Sequence, residues 1–204
     1  WAARSRKDDL VAFALFGEGA TSTGDFHNAL NFAGVFKAPC VFVCRNNGRA
    51  TSLPASRQTR SRTFAEKAVA YGVACARVDG TDAVATSAVL AAAAARAREG
   101  KGATLIEVVT EPPLFADGAW PPADLLAIGE RDPLARLRRA LEREGRLEAG
   151  ETDRLAAEVG AELDAAIAEA ERAGAPDPRS IFEDVFAEVP PHLAGQREAL
   201  SWRR

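Results

Sequence analysis

Four short apolar runs constrain how this chain can fold. They are Leu10–Phe16, Cys40–Cys44, Ala74–Val78 and Thr104–Val109, and stretches of helical spacing separate them. Runs of this length are strands rather than helices, and the unbroken apolar character of Cys40–Cys44 is the pattern of a strand covered on both faces. The first strand is read over Asp9–Phe16. Asp25 then caps a helix to about Lys37, with Phe26, Leu30 and Phe32–Ala33 near helical spacing and Pro39 ending it. Thr63 caps a helix over Phe64–Tyr71 that Gly72 closes, and Asp82–Arg98 forms a third. This βαβα order implies a parallel sheet with right-handed crossovers. The expected class is therefore α/β, a doubly wound, mostly parallel sheet.

The remainder departs from that rhythm. Asn46–Arg62 reads as a long polar loop, and Glu111–Pro133 as a second loop rich in Pro and Gly. Asp132–Glu144 and the charged, alanine-rich Thr152–Ala173 read as helices. Pro176 and Pro178 interrupt, and Arg179–Glu188 is expected to be a short helix with Ile181, Phe182, Val185 and Phe186 on one face. Residues 1–131 are thus expected to form the α/β domain, and 132–204 a helical extension and tail. A net charge of −3 gives no reason to expect nucleic acid or an acidic membrane as partner. No apolar run approaches the roughly 20 residues of a membrane-spanning helix. Cys40, Cys44 and Cys75 sit in strand-like runs and are expected to be buried free thiols in a reducing compartment.

Two strand-ending turns carry the chemistry. Gly17-Glu18-Gly19-Ala20 puts one acid between two glycines, and Arg45-Asn46-Asn47 offers an amide oxygen. In open α/β sheets, ligands sit beyond the carboxyl ends of the strands. A carboxylate and an amide oxygen there suit Mg²⁺, which takes oxygen ligands at roughly 2.1 Å and keeps phosphates in its shell. The expected ligand is a metal-bound diphosphate. Glu18 is read either as a metal ligand or as an exposed turn acid, and Arg45 as a bidentate diphosphate partner or a surface arginine. The glycines let backbone approach a phosphate, and the amides of Gly19 and Ala20 are placed to donate to it. Gly19–Gly24 has P-loop glycine spacing, but Asp25-Phe26 stand where Lys-Ser/Thr are required, which excludes that reading. His27, in the first turn of a helix, suits a packing or hydrogen-bonding role, and His192 looks incidental. Asp79-Gly80 reads as a strand-ending turn with a structural acid.

The Gly-acid-Gly turn, 26 intervening residues and Asn-Asn resemble the thiamine-diphosphate motif. Gly17–Asn31, Phe36–Asn47 and Leu53–Thr59 further resemble the alpha subunit of 2-oxo acid dehydrogenases, the decarboxylating component, and most of all its branched-chain type. Ala65–Gly80 and Asp132–Leu141 continue the likeness. The resemblance implies thiamine diphosphate and Mg²⁺ as cofactors, with Glu18, Asn47 and the main-chain carbonyl of Arg49 as metal ligands. It implies a beta subunit in an α₂β₂ heterotetramer, which carries the aminopyrimidine half of the site, and a lipoyl-bearing acyltransferase. A cytoplasmic oxidoreductase of branched-chain amino acid catabolism is the expected function. The chain begins at Trp1 and contains no methionine, and the resemblance implies a further segment preceding it.

One departure stands out. After a strand such as Leu105–Val109 the family carries a loop with a histidine, serines and paired acids. Here residues 111–122 contain neither histidine nor serine, and Asp117 is an acid that repels a diphosphate. The catalytic residue is accordingly unknown. Loss of an acid–base group removes about 10²–10⁴ in rate, so a scaffold subunit that assembles without turnover is the alternative function. The chain by itself is expected to bind Mg²⁺–thiamine diphosphate weakly or not at all.

Overall fold

The computed structural model describes residues 2–110, 132–148 and 150–201. In chain order the first part contains α1 (Ala2–Arg6), β1 (Ala12–Gly17), a 3₁₀ turn (Glu18–Ser22), α2 (Gly24–Phe36) and β2 (Cys40–Asn46). A two-strand hairpin, β3 (Arg49–Ala50) and β4 (Leu53–Pro54), and α3 (Ala55–Gln58) follow. Next come a 3₁₀ helix (Ala65–Tyr71), β5 (Ala74–Asp79), α4 (Ala83–Arg98) and β6 (Thr104–Val109). Four strands pair in the order β1-β2-β6-β5, every pair parallel. The α/β class expected from the apolar runs is the one observed.

Strand alternation divides the core between two faces. Phe42, Cys44 and Leu105 meet Phe26, Leu30 and Ala33 of α2, together with Phe64, which precedes the 3₁₀ helix, and Ala68 within it. Val41, Val43, Ile106 and Val108 meet Ala93 of α4 on the other face. Helices therefore cover both sides of the central strands, which is why Cys40–Cys44 is apolar throughout and β6 is apolar except at Thr104 and Glu107. β1 lies at an edge. Its Ala14 and Phe16 join the first core, while Phe13 and Leu15 stay exposed.

Several expectations change in detail. Helix α2 begins at Gly24 with Thr23 at the cap position, so Asp25 lies inside the first turn, where a carboxylate still complements the helix dipole. Asp82 does cap α4, accepting from the Ala85 amide at 2.9 Å. The helix expected over Phe64–Tyr71 is a 3₁₀ helix, with the Thr63 hydroxyl accepting from the Glu66 amide. The loop after Asn46 holds the β3–β4 hairpin and α3. Of the three thiols only Cys44 is buried. Cys40 is half-buried, and Cys75 is exposed because its strand forms the other edge of the sheet.

The compact units divide between Leu147 and Glu148, later than the 131/132 boundary read from the sequence. The reason is Arg136 of α5 (Pro133–Arg143). Its guanidinium binds the carboxylates of Asp79 at 2.9 Å and Asp82 at 3.3 Å and also contacts the Thr81 hydroxyl, tying that helix to the end of β5. The second unit contains α6 (Glu151–Ala173), α7 (Ser180–Glu183) and α8 (Pro191–Ser201). Only the first part of the expected Arg179–Glu188 helix forms, with Phe182 buried and Ile181, Val185 and Phe186 exposed. The tail containing His192 is helical, and Arg197 pairs with Glu183 at 3.0 Å. No helix among the described residues is long and apolar enough to cross a membrane.

Candidate functional site

Gly17 ends β1 in extended conformation and lies in register with Arg45 of β2. The two chemistry-bearing turns therefore leave adjacent parallel strands at the same end of the sheet. Glu18 opens its 3₁₀ turn 2% exposed, and its Oε1 has no hydrogen-bond partner among the described residues. A buried acceptor left in that state costs about 1–3 kcal/mol. Such a cost persists where a ligand is meant to satisfy the group. The bland reading of Glu18 as an exposed turn acid fails on its burial.

The turn itself is braced from behind. The Thr21 hydroxyl donates to the Glu18 carbonyl at 2.7 Å. Lys67 Nζ donates in turn to the Thr21 hydroxyl at 2.8 Å and to its carbonyl at 3.1 Å. Lys67 also lies over the rings of Phe26 and Phe64, and burial lowers its pKa.

The second turn is equally fixed. Gly48 takes φ +82°, a left-handed conformation that other residues resist. Its amide donates to Asn46 Oδ1 at 2.8 Å and its carbonyl accepts from the Ala55 amide at 2.9 Å. Asn47 Oδ1 accepts from the Arg49 amide at 3.1 Å. Gly19 packs directly on Ala50, so the Glu18 turn rests on the strand that begins at Arg49.

Beneath both turns lies Glu107 of β6, 1% exposed. Its Oε1 accepts from Asn46 Nδ2 at 2.7 Å and its Oε2 from the Ala65 amide at 3.0 Å, with Arg77 Nε 3.5 Å away. The Cys44 thiol reports how close these charges lie. Burial first, then the negative charges of Glu107 and Glu18, push its pKa up to about 12 against the opposing pull of Lys67. A cleft of about 360 Å³ opens beside Glu107, lined in part by Asn46, Thr59, Arg60, Arg62 and Arg77.

Residues 1–111 match the family model described as the dehydrogenase E1 component. This chain belongs to the dehydrogenase E1 component family. It is 44% identical to the alpha subunit of 3-methyl-2-oxobutanoate dehydrogenase from Mycobacterium tuberculosis, over 98% of this chain and 56% of that protein. It is 34% identical to the alpha subunit of the pyruvate dehydrogenase E1 component from Staphylococcus aureus, over 97% of this chain and 55% of that one. The chain thus spans about half the length of the curated relatives it matches. A solved Mycobacterium smegmatis structure, provisionally described as a thiamin diphosphate-dependent enzyme, overlaps 54% of this chain and 20% of its own. The TM-score is 0.42 and the identity 25%.

In this E1-family chain, the residues singled out from the sequence lie as follows. Gly17, Glu18, Gly19 and Ala20 form one turn, and Asn47 and Arg49 the neighbouring one. Arg45 alternates with Cys44 along β2 and is exposed on the opposite face of that strand. Among the described residues no group of three or more His, Cys, Asp and Glu could hold a metal. A cation here would need a mixed oxygen set of carboxylate, amide and carbonyl, as hard cations accept. His27 Nδ1 is 2.6 Å from the Tyr71 hydroxyl, the hydrogen-bonding role its position implied. Asp79 accepts from the amide and hydroxyl of Thr81, a structural acid as expected. The departing loop 111–122, Asp117 included, lies outside the described residues. Sequence reasoning missed Asn46, Lys67 and Glu107. For Glu107 a signal existed: it is the one charged residue in Thr104–Val109.

Proposed function

We propose that this chain is the Mg²⁺- and thiamine-diphosphate-binding alpha subunit, or part of one, of a branched-chain-type 2-oxo acid dehydrogenase. The observation that carries the reading is the buried Oε1 of Glu18, without a hydrogen-bond partner among the described residues, beside the Asn47 turn. A buried carboxylate oxygen can only accept, and a divalent cation is a group that completes it. The carboxylate of Glu18, the amide oxygen of Asn47 and the main-chain carbonyl of Arg49 are assigned to the cation. The amides of Gly19 and Ala20 are assigned to the diphosphate; Arg45, exposed on the other face of β2, reaches it only by bending round the strand end. Thiamine diphosphate, when bound, supplies the ylid and electron sink for decarboxylating a 2-oxo acid and passing the acyl group to lipoyl. The protein's part is to bind and orient the diphosphate end and to keep water from it.

Both curated relatives are named as alpha subunits, which supports a partner beta subunit supplying the other half of the cofactor site. A lipoyl-bearing acyltransferase and a cytoplasmic setting belong to the same proposal. The test is co-expression with the beta subunit from the same genome. CO₂ release dependent on a 2-oxo acid, and lost in Glu18→Ala, is the expected result. Assembly without turnover would instead identify a scaffold subunit. Calorimetry on the chain alone is expected to give weak or no binding of Mg²⁺–thiamine diphosphate, because partner contacts are missing. Micromolar binding sensitive to Glu18 and Asn47 would contradict the half-site reading.

A further inference from the structure

We propose that Glu107 is a positioning residue that holds both turns of the site in one geometry, an inference that rests on reading those turns as a cation and diphosphate site. A carboxylate only accepts hydrogen bonds. Its contact with Asn46 at 2.7 Å therefore fixes which way the amide points: nitrogen toward Glu107, oxygen toward the Gly48 amide. That second bond holds Gly48 at positive φ, and Gly48 leads directly into Asn47 and Arg49. The other carboxylate oxygen accepts from the Ala65 amide, at the start of the 3₁₀ helix that carries Lys67. Lys67 grips Thr21, and Thr21 holds the carbonyl of Glu18. One buried side chain thus reaches the Asn47 turn through Asn46 and the Glu18 turn through Ala65, Lys67 and Thr21. Partners that orient metal ligands in this way are worth about 10–100-fold in metal affinity.

The hydrogen-bond pattern allows an exchange of the two side-chain types. In the double variant Asn46→Asp/Glu107→Gln, the Gln amide donates to the Asp, the Gln oxygen accepts from Ala65, and the second Asp oxygen accepts from Gly48. All three hydrogen bonds are kept and net charge is unchanged; what is lost is the 3.5 Å pairing of Arg77, itself half exposed, with Glu107 Oε1. Each single variant breaks the pattern: Glu107→Gln leaves one oxygen for two donors, and Asn46→Asp sets two acceptors face to face.

The test uses the full 204-residue chain. Mn²⁺ is titrated while the amide signals of Asn47 and Arg49 are followed, and amide exchange at Gly48 is measured in parallel. Each single variant is expected to weaken the apparent Mn²⁺ affinity by about 10-fold and to speed Gly48 exchange, with the double variant back within about threefold of wild type. Unchanged affinity and exchange in a folded Glu107→Gln overturns the proposal. So does a double variant that recovers neither, folded or not, and if the single variants do not fold the double variant decides alone. The titration is carried to millimolar Mn²⁺ because the half-site binds weakly; if neither amide responds there, nor in the chain assembled with its beta subunit, the cation reading fails instead, and Gly48 exchange still decides whether Glu107 controls the turn.

Discussion

Gly19 and Ala50 pack so closely that a Cβ on Gly19 would come within 2.8 Å of the Ala50 Cβ. This contact joins the Glu18 turn to the loop that follows Asn47, and it leaves no room for a larger residue. Gly19→Ala is expected to destabilise the chain by about 1–3 kcal/mol through overpacking. Gly17, where the same construction meets nothing within 4 Å, should tolerate Ala far better. Urea unfolding of the two variants checks the contrast, and equal midpoints would contradict it.

Glu18 should be a stability liability whenever the cation is absent. Its buried Oε1 has no partner among the described residues, and buried carboxylates without partners are costly. Glu18→Gln removes the charge at nearly constant shape. The variant is expected to melt at or above the wild-type temperature in EDTA and to lose any stabilisation by Mg²⁺. A variant that melts lower in EDTA would mean that Glu18 already has a stabilising role without metal.

Asp79 supplies a pH signature at the other edge of the sheet. The Arg136 hydrogen bond first, then those from Thr81, hold its carboxyl down to about 2. An unfolded aspartate titrates near about 3.9. The interaction therefore stabilises the fold fully above that value, and the benefit is lost as pH falls toward 2. Asp79 is more than half exposed, so the effect is small. The melting difference between wild type and Asp79→Asn should stay constant from neutral pH to about 5 and vanish near 2. A difference that persists unchanged at the acid end would rule out the Arg136 pairing as its source.

The cysteines should separate by reactivity. Cys75 is exposed, whereas Cys44 is buried with its thiol pushed up to about 12. Reaction needs both access and thiolate. A thiol reagent at pH 8 is expected to modify Cys75 fast and Cys44 only on unfolding, with Cys40, whose pKa is also raised by burial, between them. Mass spectrometry of the labelled peptides gives the order, and early labelling of Cys44 would show that its face of the sheet opens.

Much of this arrangement is legible in the sequence because it is local. Thr104–Val109 has the boundaries its apolar run gives it, and Asp82 caps α4 by a contact three residues away. The neighbourhood of Glu18 and Asn47 follows from both turns ending adjacent strands. The Asn46–Glu107 pair could not be read off in this way. It joins residues 61 positions apart, through a register that sets Cys44 opposite Glu107 and a side-chain direction that only the folded strands define. Exposure of Cys75 depends likewise on which strand becomes an edge. The Pro191–Ser201 helix was hidden by its flanking prolines, although proline at a helix start is well tolerated.

The most direct test of the central claim, that the Glu18 and Asn47 turns hold one cation, is paramagnetic broadening by Mn²⁺ in the presence of thiamine diphosphate, with the chain assembled with its beta subunit. The predicted result is simultaneous loss of the amide signals of Gly19, Ala20, Asn47 and Arg49, abolished by Glu18→Gln. Broadening at one turn without the other, or broadening that survives Glu18→Gln, would contradict it.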